Sequence, residues 1–135
     1  MDLLNNLFLG LSAAATPENL FYCFLGCLLG TLIGVLPGIG PAATIAMLLP
    51  LTFALDPTTS LIMLSGIYYG AQYGGSTTAI LVNLPGEPSS VVTALEGYKM
   101  AQKGRAGVAL AIAALSSFFA GTVATIVIAV LAPLL

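Results

Sequence analysis

Leu36-Pro37-Gly38-Ile39-Gly40-Pro41 lies inside a long apolar run, and no other stretch restricts the fold as much. A helix cannot pass through it intact. Pro41 has no N–H to give, and its ring clashes with the preceding turn. The two glycines free the backbone to turn and leave it bare of side chains. Composition decides what surrounds this break. The chain is 59% hydrophobic and 6% charged, with a mean hydropathy of +1.07, whereas a soluble domain carries about 25% charged residues. The chain therefore reads as a membrane protein. In lipid, freed N–H and C=O groups must find partners. Broken backbone at membrane depth is tolerated where it is buried in protein or lines a polar cavity.

The same composition excludes several functions. The net charge of −2 arises from five acids and three bases, with no basic patch for nucleic acid. With no histidine, His-based acid–base chemistry and most zinc sites are ruled out. There is no nucleophile–base pair, metal-ligand cluster or Walker-type loop, so no enzyme is expected. Cys23 and Cys27 sit four apart in an apolar helix and read as small buried hydrophobes. Residues 1–15 contain no Lys or Arg, so they lack the charged start of a signal peptide. Residues 129–135 are still apolar, and the chain reads as a fragment of a longer polytopic protein.

The expected fold class is all-α: a polytopic membrane protein with broken or re-entrant helices. Residues 1–15 have an apolar face (Leu3, Leu4, Leu7, Phe8, Leu11) at helical spacing and are too short to span, which predicts an interfacial amphipathic helix. Residues 16–135 form a partial transmembrane domain. Thr16-Pro17-Glu18 is a helix start, and residues 17–36 are long enough to cross. Gly26, Gly30, Gly34 and Gly38 recur every four residues and form a groove for a neighbouring helix. Residues 41–55 are a half-helix or one arm of a re-entrant hairpin. Residues 58–84 repeat the pattern: Gly66, Gly70 and Gly74 in register, then a break at 73–78, with Ser76 capping a short helix through Asn83. Residues 86–105 form an amphipathic loop with a helix capped by Ser89 or Ser90, whose apolar side is Val91, Val92, Leu95 and Tyr98. It holds Lys99, Lys103 and Arg105, the whole positive charge of the chain. The positive-inside rule therefore assigns it to the cytoplasm. Residues 106–131 are a final span with a small-residue face at Ala113, Ser117, Gly121 and Thr125. The side on which the N-terminus lies depends on whether 41–55 crosses.

Two clusters are candidate sites. At 37–41, exposed backbone and the N–H groups of the following half-helix would hold an anion or coordinate a cation; a plain kink is the competing reading. At 74–83 (GGSTTAILVN), the hydroxyls of Ser76, Thr77 and Thr78 and freed N–H groups would bind a carboxylate. Carbonyls around Gly75, the hydroxyls and the Asn83 amide would equally suit Na⁺. The competing reading is a run of hydroxyls bonding back to helix carbonyls. Gln72, Tyr69 or Tyr73 would add donors. Glu87 is the one acid inside a break motif and would pair with a cation or proton, or else be a solvated loop acid.

The stretches GTLIGVLPGIGPAATIAMLLPLTF and YYGAQYGGSTTAILVNLPGEPSSVVTALEGYKMAQKGRAGVALAIAALSSF resemble the N-terminal part of the large membrane subunit of tripartite tricarboxylate transporters, the TctA family. The resemblance covers residues 16–135 and rests on two long motifs in the same order. It implies a bacterial inner-membrane carrier working with a small membrane subunit and a periplasmic solute-binding protein. Such a carrier takes up citrate or other carboxylates by alternating access, coupled to Na⁺ or H⁺ and with no other cofactor. It also implies that Gly38, Gly40, Ser76, Thr77 and Thr78 contact substrate, and that Gly75 and Asn83 contact the coupling ion. A site completed by the rest of the carrier would be missing from this chain. The alternative is a non-transporting scaffold subunit whose glycine faces serve helix packing alone. A pore built from several copies is a third reading.

Overall fold

Prolines set the helix starts. Pro17, Pro41 and Pro57 each occupy the first turn of a helix, where the missing N–H is no loss and φ is preset. The computed structural model describes residues 2–134; Met1 and Leu135 lie outside the described residues. Six helices follow one another: α1 (Asp2–Ala14), α2 (Pro17–Gly34), α3 (Pro41–Leu48), α4 (Pro57–Val82), α5 (Ser90–Gln102) and α6 (Ala106–Leu131). Short 3₁₀ turns extend α3 (Leu49–Thr52) and α6 (Ala132–Leu134). By length and apolarity, α2 and α6 with its extension qualify as membrane spans. The 26 residues of α4 reach about 39 Å, but its glycines and hydroxyls make it less apolar. It is also the helix against which α2, α3, α5 and α6 pack, so protein covers much of its surface.

The core is a seam between α2 and α4. Gly26, Gly30 and Gly34 are buried, and a methyl on any of them would overlap the backbone carbonyl of Met63, Ile67 or Ala71, respectively. The fit is reciprocal. A Cβ on Gly66 would lie 2.6 Å from the Cys23 carbonyl oxygen, and one on Gly74 would lie 2.6 Å from that of Thr31. Gly70 abuts the Cys27 carbonyl in the same way. Residue numbers rise together along the seam, so α2 and α4 run parallel. A polar bond closes each end. Near the N-termini, Thr59 Oγ1 donates to Asn19 Oδ1 at 2.7 Å, and Asn19 Nδ2 donates to the Ala13 carbonyl at 2.7 Å. Near the C-termini, Thr78 Oγ1 donates to the Val35 carbonyl at 2.6 Å.

Parallel neighbours need a return segment, and residues 41–56 supply it. Pro50 stops α3, and the 3₁₀ turn carries the chain back to the start of α4, where Ser60 Oγ donates to the Thr52 carbonyl at 2.9 Å. Asp56 then caps α4 by accepting from Thr58 N–H at 3.1 Å. The half-helix expected at 41–55 is thus present as a short helix plus a turn.

Four expectations are corrected. The break expected at 73–78 is absent, because α4 is continuous from Pro57 to Val82. Four glycines inside one helix cost about 1 kcal/mol each against alanine. Here close packing offsets that cost, with α2 against Gly66, Gly70 and Gly74 and with Gly86 against Gly75. Second, Ser76 caps no helix. Third, the apolar side of α5 is not its packing side. Val91, Val92 and Leu95 are exposed, while Ser90, Ala94 and Gly97 are buried. Small residues let α5 approach α4 closely, Gly97 against Ile80, and the large apolar residues are left exposed. Thr16 also turns its hydroxyl back to the Ala13 carbonyl instead of capping α2. The outer faces of α6 and α1 are exposed, with Leu115, Phe118, Phe119 and Phe8 each at least 70% accessible.

The seam makes a direct prediction. Gly30→Val should destabilise the membrane-inserted protein by about 3 kcal/mol or more, as overpacking against backbone does. Gly10→Ala, with nothing within 4 Å of the added methyl, should not destabilise and should gain up to about 1 kcal/mol from helix propensity. Thermal unfolding of the two variants in detergent checks this.

Candidate functional site

At the C-terminal ends of α2 and α4, three stretches meet: the break at 35–40, the α4 turns at 72–78, and the loop at 84–89. Gly38 has φ +84°, the left-handed region that glycine enters without strain. Gly40 is extended and precedes Pro41, and its carbonyl accepts from both Thr44 N–H and Thr44 Oγ1, each at 3.1 Å. Thr44 is fully buried. The N–H groups of Ala42 and Ala43 belong to the first turn of α3, where no preceding helical carbonyl reaches them. Across from the break, Gly75 and Gly86 pack backbone to backbone. A Cβ on Gly86 would sit 2.9 Å from Gly75 Cα and 3.6 Å from the Gly34 carbonyl oxygen. The loop then brings Glu87 beside Gly40, whose added methyl would touch Glu87 Cβ at 4.0 Å. Ser90 Oγ donates to the Glu87 carbonyl at 2.8 Å and ties the loop to the start of α5.

The sequence-expected site residues fall into two groups. Gly38, Gly40, Gly75 and Thr78 belong to this junction. Ser76 and Thr77 are on α4, but their hydroxyls donate to the carbonyls one turn back, Ser76 to Gln72 at 3.3 Å and Thr77 to Tyr73 at 3.0 Å. Thr78 does the same to Gly74 at 3.2 Å and also reaches Val35. Because α4 is unbroken, it offers no freed N–H at these positions. Asn83 is the left-handed residue, φ 59°, that ends α4, and it is exposed. It therefore has a backbone role. Ser76 also lines a cavity of about 260 Å³ between α4, α5 and α6, with Thr93, Glu96, Met100 and Ser116 among its walls.

Sequence reasoning missed two contacts. The Asn19–Thr59 bond joins positions 40 apart and leaves no local signal. The approach of Gly86 to Gly75 was signalled by the glycine between Pro85 and Glu87, which reads equally well as a plain turn. Gln72, expected to add donors, does so toward the 84–89 loop. Its Nε2 donates to Ser89 Oγ at 3.0 Å, while its Oε1 is buried without a partner. Glu87 Oε1 is likewise buried without a partner.

The tripartite tricarboxylate transporter TctA family model matches residues 20–135. The chain belongs to this family. A relative from Agrobacterium vitis, described as an "Uncharacterized 52.8 kDa protein in TAR-I ttuC' 3'region", is 73% identical over 133 residues. That alignment covers 98% of this chain and 26% of the relative, so the chain spans about a quarter of the relative's length. No solved structure matches. As part of a TctA membrane protein, the junction has a definite electrostatic character. Its donors are backbone N–H groups and its acceptors are carbonyl, amide and carboxylate oxygens. The three basic side chains lie at the far end of α5 and beyond it.

Thr78 is the side chain that binds α4 to the end of α2. Thr78→Val removes that hydrogen bond at nearly constant volume and should lower stability by about 1–2 kcal/mol. Thr78→Ser should restore most of it. Melting of the full-length TctA-family protein with each change reads the difference.

Proposed function

We propose that this chain is the first part of the membrane subunit of a carrier for tricarboxylates or related carboxylates, coupled to a cation and working by alternating access. Its partners would be a small membrane subunit and a periplasmic solute-binding protein, in the bacterial inner membrane. The observation that carries this reading is the gathering of the 35–40 break, one face of α4 and the 84–89 loop at one end of a glycine-packed helix pair. A scaffold needs the glycine seam but has no use for a bare half-helix N-terminus beside an acid.

In this reading the carboxylate is held by the backbone at 38–43, where Gly38 and Gly40 admit it and the first turn of α3 presents N–H groups. With no basic side chain at the junction, a coupling cation must supply counter-charge. The hydroxyls of Ser76 and Thr77 would serve a substrate only by leaving their helix carbonyls. If 86–105 is cytoplasmic by its positive charges, the parallel α2 and α4 put the junction on the cytoplasmic side and Pro17 and Pro57 on the outer side.

Uptake of labelled citrate into vesicles, using the full-length protein with its partner subunits, tests this. Gly38→Val should abolish uptake while membrane insertion stays normal, because the position requires positive φ. Ser76→Ala with Thr77→Ala should leave uptake within about twofold, a change of well under 1 kcal/mol. Loss of uptake in the double variant would return those hydroxyls to the substrate path. Normal uptake in Gly38→Val would remove the break from it, and the scaffold reading would then lead.

A further inference from the structure

We propose that the cavity between α4, α5 and α6 binds the headgroup of a phosphatidylethanolamine lipid, with Glu96 as counter-charge to its ammonium and Lys99 beside its phosphate. The cavity holds about 260 Å³. Among the described residues lining it, Glu96 alone is charged; the others supply hydroxyls, such as Ser76 and Ser116, and apolar walls, such as Ile80 and Met100.

The hydroxyls decide the chemistry of the ligand. Ser76 Oγ donates to the Gln72 carbonyl at 3.3 Å, and Ser116 Oγ donates to the Ile112 carbonyl at 2.7 Å. A serine has a single O–H, so each of these can only accept from a ligand. The Glu96 carboxylate also only accepts. The cavity therefore offers acceptors and one negative charge. It repels a carboxylate and suits a cationic group with several N–H donors. A primary ammonium carries three. A bare ion would leave most of the volume and the apolar walls unused, whereas an ammonium on a short carbon chain fills both.

The placement points to a lipid as the source. Glu96 and Ser116 are exposed, and Ile112, also in the lining, is 54% accessible, so the cavity opens outward. Ile112 lies six residues into α6, or about 9 Å along it, near the end of the span where headgroups lie. On α5 and its C-cap, Val91, Leu95, Lys99 and Lys103 follow at four-residue spacing, and all are exposed. This row turns from apolar to basic toward the start of α6, as a helix does in rising from acyl chains to the phosphate layer. Lys99 comes three residues after Glu96, and side chains so spaced have Cβ atoms about 5–6 Å apart. An ethanolamine unit with its ammonium at Glu96 brings its phosphate toward Lys99.

The test is thermal unfolding of the purified full-length protein in detergent, titrated with short-chain phosphatidylethanolamine at fixed salt. The wild type should show a saturable rise in Tm. Phosphatidylcholine, whose ammonium has no N–H, and phosphatidylglycerol, which has no ammonium, should need about tenfold more lipid or give no rise. Glu96→Gln should weaken the phosphatidylethanolamine midpoint about tenfold, and Glu96→Asp should shift it by less. Equal midpoints for the three lipids would overturn the proposal. So would an unchanged midpoint in Glu96→Gln or, if that variant does not fold, in Glu96→Asp. A wild type that answers to none of the lipids would also overturn it, and would favour a basic side chain from elsewhere in the protein as the occupant.

Discussion

Backbone-to-backbone contact between α2 and α4 is the constraint on which the rest depends. Gly26, Gly30 and Gly34 meet carbonyls of α4, and Gly66, Gly70 and Gly74 meet carbonyls of α2. In lipid there is little hydrophobic force between helices, so close packing of small residues does the holding. The seam also fixes direction. Two consecutive long helices made parallel require the chain between them to travel back, which is why residues 41–56 are a short helix, a 3₁₀ turn and a capped corner. The Pro-Gly break is the bend that begins this return. It falls where α2 ends because a third glycine contact, Gly34 on Ala71, completes the seam just before it.

The seam then decides the fate of polar groups on α4. Packed along its length, α4 keeps its own hydrogen bonds and stays helical through Gly74 and Gly75. The hydroxyls of Ser65, Ser76 and Thr77 consequently point back to helix carbonyls, and that of Thr78 does so while also stitching α4 to Val35. Polar character that is not spent on the helix collects beside it. Gly86 approaches Gly75 and carries Glu87 into the junction, beside Gly40 and the end of α2, while Ser89 meets Gln72. The bare backbone of the break and the unpartnered oxygens thus lie side by side.

Much of the fold was legible in the residues. Pro17 and Pro41 marked helix starts, and the glycine spacing marked both faces of the seam. The registers alone did not reveal that the two faces pack on each other, nor that they run parallel, since parallel and antiparallel pairs have the same four-residue period. The error at 73–78 came from reading two adjacent glycines by local propensity. A neighbouring backbone at contact distance overrides that propensity, and no local signal announces the neighbour. The face of α5 was misjudged for a related reason. Its valines and leucine look like the packing side, but the close approach of α5 to α4 admits only small residues such as Ser90, Ala94 and Gly97. In the candidate site, Gly38 and Gly40 were legible because proline and glycine chemistry is local. The meeting of Gln72 with the loop at 86–89 spans seventeen residues and appears only once α4 is a single helix.

The central claim is that this part of the protein contains one break, at 36–40, and that α4 is whole. Amide hydrogen exchange on the full-length protein in lipid nanodiscs tests it most directly. Amides at 74–80 should exchange as slowly as those at 62–70, while those at 38–40 exchange fast. Exchange at 74–80 as fast as at 38–40 would mean a second unwound segment, and would contradict the account.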